Sequence, residues 1–213
     1  MNYTESLAYL DSLGKFGIKL GMERIEGLLR ELGNPEQKIK TVHVTGTNGK
    51  GSVTSMITNI LLAANLKVGK FTSPHLVKYN ERINLNGKDI SDEDFATAIT
   101  VVKVAADSVV KKGVCEQPTQ FEILTAAAFL YFYLQKVDYA VIEVGMGGLW
   151  DSTNVITPVV SVITNVALDH TDRCGKTLER IAMQKAGIIK EKVPLVTAAE
   201  GNEALGPIVS LAM

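Results

Sequence analysis

Three glycines and a lysine crowd together in "TVHVTGTNGKGSVTSMI", residues 41–57, between a β-rich stretch and an apolar helical run. A glycine-rich turn in that setting lets successive backbone N–H groups point at one anion, and the N-terminus of the following helix adds a favourable dipole. On this reading Gly46, Thr47, Asn48, Gly49, Lys50, Gly51 and Ser52 cradle phosphates, with Lys50 reaching the outer ones and Ser52 offering a hydroxyl. The strict phosphate-loop pattern G-x-x-x-x-G-K-[ST] is not met, because position 44 is Val and Gly51 separates Lys50 from Ser52. A plain strand-to-helix turn with an exposed lysine is the competing interpretation. The strand before the loop and the helix after it favour the anion site.

Other chemistry-bearing residues follow at the ends of apolar stretches. Glu143 closes "VDYAVIEVG", where an acid can hold Mg²⁺, a hard cation that takes oxygen ligands and ATP phosphates; a local salt bridge is the alternative. Gly145, Gly147 and Gly148 come next and suit either close backbone approach to a ligand or a turn. Ser73 precedes Pro74 and is biased towards an extended backbone, although such a pair is commonly just a turn. His170, in "ALDHTD", is one of three histidines. A lone histidine is more often structural, but Asp169 and Asp172 beside it shift the balance towards a site. His43, inside a strand, reads as structural, and His75 is left undecided. Lys185, in "MQKAGIIK", reads by itself as a solvated helical lysine.

These residues need elements to hold them. Residues 1–38 form a helical lead-in: "YTESLAYLDSL" and "GMERIEGLLRELG" carry Leu and Ile at helical spacing, and the second stops at Gly33-Asn34-Pro35. Residues 39–213 then alternate. Strands are expected at "IKTVHVTG", "KVGKFTS", "VDYAVIEVG", "PVVSVITNV" and "VPLVTAA". Helices are expected at "SVTSMITNILLAANL", at "FATAITVVKVAADSVVKKG" behind a Ser91–Asp94 cap, from Pro118 to Gln135, and around 177–190. Residues 74–90 read as a long loop or a short hairpin turning at Asn86-Gly87. Strands apolar throughout and alternating with helices predict an α/β fold, a mostly parallel sheet with helices on both faces. Ligands bind beyond the carboxyl ends of such strands, which is where the glycine loop, Ser73, Glu143 and His170 all fall.

Composition narrows the classes. The chain has 213 residues, enough for one sizeable domain or one domain and part of another. A net charge of -1 gives no basic field for nucleic acid. The longest apolar runs, such as "ILTAAAFLYFYL", are too short to cross a bilayer, and the first residues lack a secretion-signal pattern. Cys115 and Cys174 lie far apart without CxxC spacing, so free thiols are expected. A soluble cytoplasmic protein follows as the expectation.

The variant "VTGTNGKGS" resembles the ATP-binding loop of folylpolyglutamate synthase and dihydrofolate synthase, within the Mur ligase superfamily. "GIKLGMERI", "FTSPHL", "NERI", "FEILTAAAF", "EVGMGGLWDSTN", "NVALDHTD" and "KAGIIK" extend the resemblance through nearly the whole chain, in order and at matching spacing. The resemblance implies a P-loop NTPase-like domain, the Mur ligase central domain, which binds ATP and two Mg²⁺ ions. It implies Ser73, Glu143 and His170 as metal ligands and a CO2-derived carbamate on Lys185 as a further one. Lys50, Glu143, His170 and Lys185 form the implied catalytic set. The implied reaction adds L-glutamate to folate or dihydropteroate through an acyl phosphate, with "SPHLVKYNERI" shaping the acceptor site. Family members continue into the rest of the ATPase domain and a C-terminal domain, so 1–213 is expected to be an incomplete N-terminal ATP-binding domain, weak or inactive alone. The full-length form is expected to be a monomer, without nucleic-acid or membrane partners. Three positions depart from the family habit: Leu149 for Arg, Gln184 for Glu, and Cys174 for an apolar residue. The rival readings are a cell-wall Mur-type ligase and a non-catalytic nucleotide-binding module.

Overall fold

The computed structural model describes residues 1–14, 21–168 and 175–213. Two helices lead in, α1 (Tyr3–Leu13) and α2 (Glu23–Glu31). The first starts on a capping box in which Asn2 and Glu5 satisfy each other's backbone amides. The chain then runs β1 (Thr41–Thr45), α3 (Lys50–Ala63), β2 (Val68–Phe71), β3 (Ile83–Leu85) and β4 (Lys88–Asp89). It continues through α4 (Asp92–Lys111), α5 (Gln120–Leu134), β5 (Tyr139–Glu143), β6 (Val160–Ile163), α6 (Leu178–Ala186), β7 (Leu195–Thr197) and α7 (Asn202–Ala212).

The strands form one sheet in the order β4-β3-β2-β5-β1-β6-β7. The β2-β5-β1-β6-β7 portion is parallel, and β3 and β4 add an antiparallel edge. The 74–90 segment therefore contains a hairpin, turning where Asn86 and Gly87 take φ of 52° and 81°, as Asn-Gly pairs do.

Side chains alternate across the pleat, and the two faces bury separate clusters. Val42, Val44, Val68, Val141 and Val162 pack under α3. Phe71, Ile83, Ala140 and Ile142 pack beneath α5, with α1, α2 and α4 stacked beyond it. Ile163 and Val144 meet α6 and α7. Helix α5 is apolar nearly all round because it lies between the sheet and the other helices. Its Phe129 and Phe132 are fully buried, each contributing about 1.5–3 kcal/mol. Phe132 lies so close to β2 that a Cβ at Gly69 would come within 2.6 Å of its ring.

Helix boundaries shift slightly from expectation. Thr119, not Pro118, caps α5, in a capping box with Glu122, so Pro118 stands one residue before the cap. Helix α3 begins at Lys50 rather than Ser52. Helix α7 was not expected, since Gly206-Pro207 interrupts its pattern. Among the described residues no helix is long and apolar enough to cross a membrane.

Candidate nucleotide and metal site

The parallel register puts Val44 opposite Glu143 and Thr45 opposite Ile163, so the loop leaving β1 emerges between the ends of β5 and β6. Gly46 is obligatory by space: a Cβ there would lie 1.7 Å from Thr164 Oγ1. Gly49 takes φ +77°, a left-handed conformation that favours glycine, and it heads α3. The segment after β6 braces the loop. The Thr47 amide donates to Asn165 O at 3.1 Å, and the Asn48 amide to Asn165 Oδ1 at 2.9 Å. Thr164 Oγ1 donates to Asn48 O at 2.6 Å, and Thr47 Oγ1 to Ala167 O at 3.1 Å. With those two amides committed, the donors left facing outward belong to Lys50, Gly51 and Ser52 in the first turn of α3, where a helix has no internal acceptors. The Lys50 ammonium donates to Gly46 O at 2.9 Å and Thr47 O at 3.3 Å, lying across the loop.

Glu143 faces that turn. Its carboxylate is 4% exposed, and both oxygens lie 3.7 Å from where a Cβ on Gly51 would be. Its Oε2 accepts the Ser73 amide at 3.1 Å, so Ser73, just beyond β2, joins the same end of the sheet. Burial pushes the Glu143 carboxyl up, against the Ser73 amide and the positive charges of Lys50 and Lys70. Among the described residues no group of three or more His, Cys, Asp or Glu converges. Glu143, a buried carboxylate at the mouth of a glycine-rich loop, is the kind of oxygen donor that Mg²⁺ takes together with phosphate and water.

His170, with Asp169, Asp172 and Cys174, lies outside the described residues. Lys185 is buried in α6, at 5% exposure, which overturns its solvated reading from sequence. Its helix supports the loop that follows Glu143: Leu149 N donates to Gln184 O at 2.8 Å. A Cβ at Gly148 would stand 2.7 Å from Gln184 O and 3.1 Å from Lys185 O. Leu149 and Gln184 thus meet through backbone atoms.

Beneath this loop runs a polar chain that includes His43. The His43 imidazole is fully buried, and Nε2 lies 2.9 Å from Thr153 Oγ1. Thr153 bonds to Asp151 Oδ1 through its amide (3.0 Å) and its hydroxyl (2.5 Å), while Met146 N donates to Asp151 Oδ2 at 2.9 Å. Two positions beyond His43, Thr45 Oγ1 donates to Gly147 O at 2.7 Å. Burial, with the Lys190 charge, pushes the His43 imidazole down to about 3. Burial also pushes Asp151 up, opposed by the bonds from Thr153, Met146 and Gly145.

The Pro74–Lys78 loop wraps around Glu81, whose carboxylate accepts the amides of Leu76, Val77 and Lys78 at 2.8, 2.8 and 2.7 Å. Leu76 and Val77 are left 92% and 81% exposed beside Ser73. His75 packs against Tyr79 with ring centroids 4.4 Å apart and tilted by 49°, and accepts from Arg82 Nε at 2.8 Å, so it is a loop brace. Asp151, Thr153 and Asn165 were not singled out from sequence; "LWDSTN" and "ITNV" hold them without a spacing that signals their partners.

Residues 44–202 match the Mur ligase middle domain. The dihydrofolate synthase/folylpolyglutamate synthase of Bacillus subtilis (strain 168) is 46% identical over 204 residues, covering 95% of this chain and 47% of the relative. The folylpolyglutamate synthase of Lacticaseibacillus casei is 47% identical over 197 residues, covering 92% and 46%. A solved FPGS–AMPPCP–folate complex superposes with a TM-score of 0.92 at 44% identity, covering 99% of this chain and 52% of that one. The chain thus spans about half the length of the curated relatives it matches.

Proposed function

Because this chain belongs to the Mur ligase middle-domain family, we propose that it is the nucleotide-binding part of an ATP-dependent ligase joining L-glutamate to a folate or dihydropteroate carboxylate. The observation that carries the reading is the Glu143 carboxylate, buried at the mouth of the glycine loop against Gly51 and the Ser73 amide. The relatives' names supply the substrate class, and a similar protein has been solved with AMPPCP and folate.

In this reading the first-turn amides of α3 and the Lys50 ammonium hold the β- and γ-phosphates of ATP. Lys50 gives up its loop carbonyls for phosphate oxygens and offsets the charge that develops on transfer. An acceptor carboxylate oxygen attacks the γ-phosphorus, the bond to the β-bridging oxygen breaks, and ADP leaves. The glutamate amine then adds to the acyl phosphate, an amide forms and phosphate departs. Activation is needed because a free carboxylate is a poor electrophile. From this chain Glu143 and Ser73, with His170 and a carbamylated Lys185 as further ligands, would hold Mg²⁺, taken as two ions, which would supply charge neutralisation. The burial of Lys185 supports the carbamate, since a lysine out of water is more readily neutral and able to capture CO2. Leu76 and Val77, exposed beside Ser73, suit a flat aromatic acceptor. The reading places the whole ligase in the cytoplasm as a monomer, with the remaining contacts to ATP and glutamate supplied by a portion beyond this domain.

Calorimetric titration with ATP, with and without Mg²⁺, tests the reading. Lys50→Ala should weaken Mg·ATP binding about tenfold to a hundredfold, the worth of one charge-assisted hydrogen bond of ~1.5–3 kcal/mol. A folded variant that binds as the parent does would refute the role of Lys50.

A further inference from the structure

Glu143 lies on the same end of the sheet as a loop that is tied down from below. Five residues after Glu143 the chain has already reached α6, where Gly148 packs against Gln184 O and Lys185 O, so a few backbone groups hold the loop that begins at Glu143. Two sets of bonds fix them. Thr45 Oγ1 holds the Gly147 carbonyl at 2.7 Å. The Asp151 carboxylate takes the Met146 amide at 2.9 Å, and the Gly145 amide also favours its charged form.

Asp151 is in turn connected to β1. The Thr153 hydroxyl has one proton, and its bond to Asp151 Oδ1 uses it. Its oxygen therefore accepts from His43, which must carry its proton on Nε2. The remaining ring nitrogen, Nδ1, is then a bare acceptor, in agreement with its being buried without a hydrogen-bond partner among the described residues. A bare acceptor is a less costly orphan than a buried N–H. His43 lies two residues before Thr45 and three before Gly46, so the chain Asp151–Thr153–His43 and the bond Thr45–Gly147 clamp one loop to the strand that carries the phosphate cradle.

We propose that Asp151 is a positioning residue for Glu143, which, by holding the Gly145 and Met146 amides and by anchoring through Thr153 to His43, sets the affinity of the site for the divalent ion. The inference rests on the nucleotide and metal reading above. Asp151 touches neither ion nor nucleotide in it. Its effect should fall on the metal-dependent part of ATP binding, because the loop leading into α3 is braced independently, at Thr47 and Asn48, by Asn165 and Thr164.

The test compares the 213-residue chain with Thr153→Val, which removes the hydroxyl at nearly constant shape, and with Thr153→Ser, which keeps it. ATP is titrated calorimetrically in EDTA and in Mg²⁺, and exchange of the Gly145 and Met146 amides is followed by NMR. Thr153→Val should lower Mg·ATP affinity about tenfold while leaving metal-free ATP affinity unchanged. It should also speed exchange at both amides, and Thr153→Ser should restore both readouts. A residue that only supports the fold would lower stability without separating the two affinities. Unchanged Mg²⁺ dependence in folded Thr153→Val, with His43 shown by its ring ¹⁵N shifts to have lost its partner, overturns the proposal. A parent chain that binds ATP equally with and without Mg²⁺ refutes the metal reading instead. Amide exchange then still decides the clamp: if Thr153→Val leaves Gly145 and Met146 as protected as before, Asp151 does not position the loop.

Discussion

Acidification should destabilise this protein through His43, by an amount that can be worked out. The imidazole is fully buried and is pushed down to about 3 by loss of hydration and by the Lys190 charge. The groups facing it are Lys190 and, through the Thr153 hydroxyl, Asp151. In the unfolded chain a histidine titrates near ~6.5. The folded value is the lower one, so the unfolded state binds the proton first as pH falls. Stability from this group is therefore complete above about pH 7 and is lost as pH drops through 6.5 towards 3. Between pH 7 and pH 5 the unfolded state gains about 1.4 units of protonation free energy, or about 2 kcal/mol. A folded-state value anywhere below about 4 gives the same answer, so the result does not depend on the depth of the shift.

The assay is urea unfolding at both pH values, for the parent chain and for His43→Gln, in which carboxylate contributions are shared and cancel in the difference. The parent should lose about 2 kcal/mol more than the variant. In the same samples the His43 ring signal should hold its neutral shift down to pH 4 by NMR, a readout that stands even if the variant fails to fold. A His43 signal titrating near pH 6.5, or equal pH dependence in the two proteins, would refute the buried, neutral imidazole and the hydrogen-bond chain drawn from it.

Three further outcomes follow from distances already given. Gly46→Ala forces a Cβ onto Thr164 Oγ1; it should cost about 1–3 kcal/mol in urea and abolish calorimetric ATP binding, and normal binding would refute the bracing of the loop by the segment after β6. Gly69→Ala meets the Phe132 ring at 2.6 Å, a clash of similar cost beneath α5; the melting temperature should fall while the folded fraction binds ATP as before. Lys185 should take up ¹³C-bicarbonate and give a carbamate resonance that Lys185→Ala lacks, and no such signal at saturating bicarbonate would remove the carbamate from the site.

Much of this architecture was readable because its signals are local. Alternation of apolar strands with helices, the cap at Ser91 and the Asn86-Gly87 turn all depend on neighbours in sequence. The glycine loop and Glu143 could be placed at strand ends for the same reason. Burial of Lys185 was not readable from its own helix, because it depends on the packing of α6 against the loop after β5 and on α7. Asn165 and the Asp151–Thr153–His43 chain were hidden too, since each bond spans up to 117 residues and ordinary polar residues form it. Helix α7 was missed because a proline in the interior of a helix argues against one, and here the tertiary contacts of Ala204 and Ile208 prevail.

The buried pair between Arg24 of α2 and Glu122 of α5, at 3.1 Å, joins residues 98 positions apart. Helices α1 and α2 leave the ribosome before α4 and α5, to which the surfaces that cover Leu10, Ile25 and Leu28 belong. At a synthesis rate of about 5–20 residues per second, the gap from Arg24 to Glu122 amounts to roughly 5–20 seconds. For that interval the α1–α2 segment carries an uncovered apolar stripe, and a chaperone that binds nascent chains would find its most durable target there.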